Sequence, residues 1–120
     1  ELDPDKVGIC HCTDCQALSA SAFRTVAIVP ADKFRLTRGN PKEYVKTAES
    51  GNRRVQGFCP NCGSGLYATD FGDSRKAYNI RVGTLRQRRD LVPRFELWRQ
   101  SALPWLPENS GTKKFDKSFR

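Results

Sequence analysis

Short runs of apolar and β-branched residues, each closed by a turn signal within a few positions, organise this chain. Phe23 to Pro30 (Phe-Arg-Thr-Val-Ala-Ile-Val-Pro) is rich in β-branched residues and ends on proline, which predicts a buried strand. Val7 to Cys10 predicts the end of a shorter strand, and Phe34 to Thr37 another, closed by the turn Arg38-Gly39-Asn40-Pro41. Partial alternation over Glu43 to Thr47 predicts a strand anchored by Tyr44. The polar turn Glu49-Ser50-Gly51-Asn52 then leads into Arg53 to Phe58, with Val55 and Phe58 facing inward. Leu66 to Thr69, Tyr78 to Val82 and a last strand within Leu91 to Trp98, around Phe95, Leu97 and Trp98, complete the set. Two prolines exclude regular structure from Leu103-Pro104-Trp105-Leu106-Pro107, whose aromatic is expected to dock on the body. Lys113 to Arg120 reads as loosely held. Helix is limited to a turn or two, with Gln16 to Ser21 as one place for it. So many short strands at close intervals predict an all-β or β-rich domain.

A chain of 120 residues is one domain by length, spanning 1–120, with apolar sequence for one modest core. Mean hydropathy is −0.64, and no apolar run approaches the roughly 18 residues that cross a bilayer. The expectation is a soluble, cytoplasmic protein with no membrane partner. The net charge of +8, concentrated in the second half, predicts a basic face that attracts anions, unless it is simply a solvated surface. Arg86, Arg88 and Arg89 fall in an exposed turn.

All five cysteines lie in two clusters, Cys10-His-Cys12-Thr-Asp-Cys15 and Cys59-Pro-Asn-Cys62-Gly. Thiols this close do not easily bridge each other, because a disulfide needs particular Cα separations and facing Cβ vectors. They readily share a metal, and soft sulfur ligands at such spacing favour Zn²⁺. An extended backbone sends the sulfurs of Cys10 and Cys12 to one side and His11, the only histidine, to the other. His11 therefore reads as a bystander. A turn at Thr13 and Asp14 can bring Cys15 to the same metal. At the second cluster Pro60 restricts the loop, and Gly63 can take a positive φ that turns backbone N–H groups toward sulfur.

Together with these motifs, Phe34-Arg-Leu-Thr-Arg-Gly39, Ser64, Leu66-Tyr67, Val82-Gly-Thr-Leu85 and Pro104-Trp105 make the chain resemble the glutathione-dependent formaldehyde-activating enzyme / centromere protein V family. That resemblance implies a mainly β fold, a β-tent of small antiparallel sheets built around zinc. It also implies two metal sites: a three-cysteine zinc at Cys10, Cys12 and Cys15, and a structural zinc joining Cys59 and Cys62 to an earlier Cys-x-Cys. This sequence has no earlier Cys-x-Cys and no methionine at all. The expectation is that an N-terminal hairpin is missing, leaving Cys59 and Cys62 with half a site and a sheet edge that invites a homodimer.

Three thiolates without a fourth protein ligand leave one tetrahedral position for water or substrate, the arrangement of a catalytic zinc. By resemblance the substrate is glutathione, whose ionised sulfur attacks formaldehyde to give an S-hydroxymethyl adduct, as in a carbon-sulfur lyase. The cysteines are then ligands, with no catalytic residue beyond them. Two other readings stand beside this one. A non-catalytic module could engage nucleic acid or a protein through its basic surface. A purely structural zinc could draw Cys12 or Cys15 to Cys59 and Cys62. A Cys59–Cys62 disulfide is the least expected outcome in a reducing setting.

Overall fold

The computed structural model describes residues 2–47 and 51–119. Its strands are β1 (Val7–Cys10), β2 (Arg24–Pro30), β3 (Lys42–Thr47), β4 (Arg53–Phe58), β5 (Gly65–Asp70), β6 (Ala77–Arg81), β7 (Phe95–Leu97) and β8 (Lys113–Lys114), with one helix, α1 (Thr13–Ser19). They form one sheet in the order β3-β4-β5-β6-β2-β1-β7-β8. The fold is mainly β, as its strand-and-turn pattern predicts. The neighbours from β3 to β1 are antiparallel, whereas β1 with β7 and β7 with β8 run parallel.

The β1–β7 pairing positions the first cysteine cluster. Gly8, Ile9 and Cys10 lie opposite Phe95, Glu96 and Leu97, so the end of β1 is held between β2 and a strand more than 80 residues away in sequence. Gly8 is required there, because a Cβ on it would fall 2.0 Å from a ring carbon of Phe95. Val7, Ala27 and Val82 form a buried apolar cluster, with Leu2 and Leu91 packed against it. A second cluster is aromatic: Phe34 stacks on Tyr78 at 4.0 Å between centroids, and Tyr67 meets both rings edge-on.

Four local expectations are corrected. Phe34 to Thr37 forms no strand; Phe34 is held by the rings of Tyr67 and Tyr78 instead. Tyr44 is 51% exposed and is no buried anchor, since β3 is an edge strand whose only ladder partner among the described residues is β4. Trp105 does not dock: it is 68% exposed, in a segment that is irregular as its prolines require. The C-terminal stretch is not loose. Beyond β8, Phe115 N–H donates to Glu96 O, Lys117 O accepts from Trp98 N–H, and Phe119 packs on Phe95 at 4.9 Å. The last predicted strand is also shorter than its apolar residues suggest. It ends at Leu97 because Trp98 takes a left-handed conformation, φ 58°. The predicted turn at 49–52 lies partly outside the described residues.

Candidate metal centre

Cys10 closes β1 opposite Arg24 of β2. The chain then turns at Cys12, which caps α1, its sulfur accepting from Cys15 N–H at 3.3 Å. The first turn of the helix carries Cys15 back over the strand end, and Cys15 is buried. Gln16 clamps this loop, its side-chain amide donating to His11 O at 2.8 Å and to Ser101 O at 2.9 Å. As a result the sulfurs of Cys10, Cys12 and Cys15 all lie within 4.8 Å of one another.

This donor set fits zinc. A tetrahedral ion with Zn–S bonds of about 2.3 Å needs sulfurs roughly 3.8 Å apart, and thiolates are the soft ligands it prefers. Among the described residues, no His, Asp, Glu or other Cys joins the group. The three thiols also act as one acid. Hydrogen bonds from Cys10 and then Cys15, with Cys15 N–H and the charge of Arg24 behind them, pull Cys12 down to about 2. Donation to Cys12, and burial, push Cys10 far up. For Cys15 the hydrogen bond from Cys10 favours ionisation, but donation to Cys12 and burial outweigh it and raise the thiol. One thiolate forms readily and the next two need a cation, which is the demand a metal meets.

His11 lies outside the ligand group formed by the sulfurs, but it is more than a bystander. It is 2% exposed, its Nε2 lies 2.7 Å from Glu96 Oε1 on β7, and its backbone N–H donates to Leu97 O. Glu96, 3% exposed, also accepts from Thr112 Oγ at 2.5 Å, with Arg99 and Lys114 at 3.6 and 3.8 Å. Burial opposes ionisation of Glu96, but the hydrogen bonds from Thr112 and His11 outweigh it and hold the carboxyl below its usual range.

Cys59 and Cys62 lie on a tight turn, with Gly63 at φ 78°. Gly63 N–H donates to Cys59 O at 2.8 Å and Cys59 N–H to Ser64 O at 2.9 Å, while the backbone N–H groups of Ser64 and Cys62 turn toward the Cys62 sulfur. Cys62 is exposed, and its hydrogen bond with Ser64 at 3.2 Å lowers its thiol. All five cysteines are free, and among the described residues neither Cys12 nor Cys15 joins Cys59 and Cys62 in a ligand group. The purely structural zinc spanning both clusters is therefore not the arrangement found.

Two arginines beside the thiols were missed. Arg24 and Arg81 share Gln56 Oε1, at 3.3 and 2.7 Å, and Arg81 also donates to Asn79 O at 3.1 Å. Burial, and then the positive charge of Arg24, pull Arg81 down to about 9. The signal is present in the sequence: each is a charged residue inside a run read as a strand, Phe23 to Pro30 for Arg24 and Tyr78 to Val82 for Arg81.

A mainly β domain that gathers three thiols, without a fourth protein ligand among the described residues, belongs to the class of metal-competent cysteine proteins. The family model described as glutathione-dependent formaldehyde-activating enzyme matches residues 1–101, most of the chain, and the chain belongs to that family. No curated protein matches it. Family and thiol cluster together fit a formaldehyde-activating role. No helix among the described residues is long and apolar enough to cross a membrane.

Proposed function

We propose that this protein is a zinc-dependent enzyme of the carbon-sulfur lyase type, joining a thiol such as glutathione to formaldehyde in the cytoplasm. The observation that carries this is the convergence of Cys10, Cys12 and Cys15 with one tetrahedral direction unfilled by protein among the described residues, in a chain of this family. Zinc held there would supply a Lewis acid that lowers the cost of ionising a thiol whose free pKa is about 8.5.

The chain's own residues set the conditions for the reaction. Cys10, Cys12 and Cys15 serve as ligands and not as nucleophiles. Arg24 lends positive charge to Cys12 and Cys15, and Gln16 and the His11–Glu96 pair fix the loop that carries the sulfurs. In the reaction the substrate sulfur forms a bond to the formaldehyde carbon and the carbonyl π pair moves to oxygen. The proton given up by the thiol ends on that oxygen, giving the S-hydroxymethyl adduct. Cys59 and Cys62 form a second, peripheral zinc pair with a structural role.

The test is zinc content by elemental analysis together with NMR exchange spectroscopy on ¹³C-formaldehyde and glutathione. Protein carrying zinc should speed exchange between free and thiol-bound carbon, and chelated protein should not. Full zinc occupancy with no acceleration for glutathione, cysteine or N-acetylcysteine would refute the enzymatic reading.

A further inference from the structure

Arg81 is 8% exposed, and the Nε of Arg24 is buried with no hydrogen-bond partner. Among the described residues neither guanidinium has a carboxylate in ion-pair distance. Their shared partner is the neutral oxygen of Gln56. Holding one buried and one half-buried guanidinium against neutral amide oxygens alone is costly unless an anion completes the arrangement. The metal centre does not supply enough charge. Three thiolates and one dication leave a single negative charge, so one of the two positive charges stays uncompensated.

Both arginines line the same cavity, of about 540 Å³. Its other walls include Leu18 to Ala20, at the C-terminal end of α1, and Gly63 to Gly65, which leave the Cys59–Cys62 turn. None of the three clustered thiols lines it. An anion held there is therefore a part of the substrate other than its sulfur.

We propose that this cavity is a carboxylate site, with Arg24 and Arg81 as its receptor, and that it selects thiols bearing a carboxylate over neutral thiols. The inference rests on the thiol-addition reading and specifies its substrate class. A guanidinium meets a carboxylate through two parallel N–H donors, and the Nε of Arg24 is a donor that no protein group engages among the described residues.

The experiment compares N-acetylcysteine with N-acetylcysteamine, which lacks only the carboxylate, in the exchange assay. Calorimetry with S-methyl-N-acetylcysteine measures binding without any reaction. The zinc-loaded protein should favour N-acetylcysteine in kcat/KM by about tenfold or more, the scale of one charge-assisted hydrogen bond. Arg24→Gln should bring that ratio toward one and weaken binding of the thioether, and Arg24→Lys should restore part of both. If Arg24→Gln slows both thiols by the same factor, or loses zinc in proportion to activity, the arginines serve only the metal centre and the proposal is wrong. If neither thiol reacts but the thioether binds through Arg24, the carboxylate site stands and the enzymatic reading falls. No thioether binding to the wild-type protein removes the site whatever the activity.

Discussion

His11 Nε2 and Glu96 Oε1 lie 2.7 Å apart, both shut off from water, and join the loop between two clustered cysteines to a strand 85 residues further along the chain. Removing the carboxylate would leave His11 Nε2 without its partner in a dry site and take one hydrogen bond from Thr112, which keeps Asn109 O. Glu96→Ala should therefore cost about 3 kcal/mol, the scale of leaving buried hydrogen-bonding groups unsatisfied. It should also weaken zinc binding by roughly tenfold, because the loop loses the contact that orients it. Urea unfolding and competition with a zinc chelator check the two parts separately.

The three clustered thiols are expected to act as one ligand set. Serine at Cys10, Cys12 or Cys15 should each lower zinc affinity by more than about 100-fold, since a neutral hydroxyl replaces a thiolate. Cys62→Ser should leave that site's affinity within a few-fold of wild type. Chelator competition on the three single variants and on Cys62→Ser is the measurement, and equal losses in all four would overturn it.

Acid stability should depend on Glu43. Its carboxylate accepts two hydrogen bonds from Arg75 at 3.0 Å and one from Tyr67 Oη at 2.6 Å, and the Arg75 contact is the main reason its pKa is lowered from 4.5. The folded value lies below the unfolded one, so the unfolded chain binds this proton more tightly. The contribution is complete above about pH 4.5 and disappears as pH falls through the lowered folded value. Glu43→Gln should flatten this part of a melting-temperature profile between pH 2 and 6 and leave its slope near neutrality unchanged.

Gly8→Ala should destabilise by about 2–3 kcal/mol through overpacking, because the new methyl would overlap the Phe95 ring. Trimming the ring in a Gly8→Ala, Phe95→Leu double variant should recover part of the loss. Denaturant midpoints for both singles and the double test this coupling.

What could be read from the sequence was local. Cys10-x-Cys12-x-x-Cys15 and the Cys59–Cys62 turn carry their chemistry in spacing, and β2 is legible as a β-branched run closed by proline. What could not be read was set by partners distant in sequence. The exposure of Tyr44 follows from β3 lying at an edge, which only the strand order shows. The burial of His11 follows from Glu96, and the ordering of the C-terminal stretch follows from its docking on β7. Arg24 and Arg81 interrupt apolar strands in plain view. Their meaning appears only when β2 and β6 pair and bring both to one glutamine.

The parallel pairing of β1 with β7 also sets the order in which the molecule can be built. During synthesis the Cys10–Cys15 segment leaves the ribosome long before Phe95–Leu97, and longer still before Thr112, so its clasp on the metal loop cannot close until nearly the whole described chain is available. Until then the thiols sit on a segment whose own hairpin, β1 with β2, lacks the strand that covers its other edge. Assembly of the three-cysteine cluster is thus expected to be a late folding event. A nascent chain halted before residue 95 should bind zinc far more weakly than the released protein, even though all five cysteines have already been made.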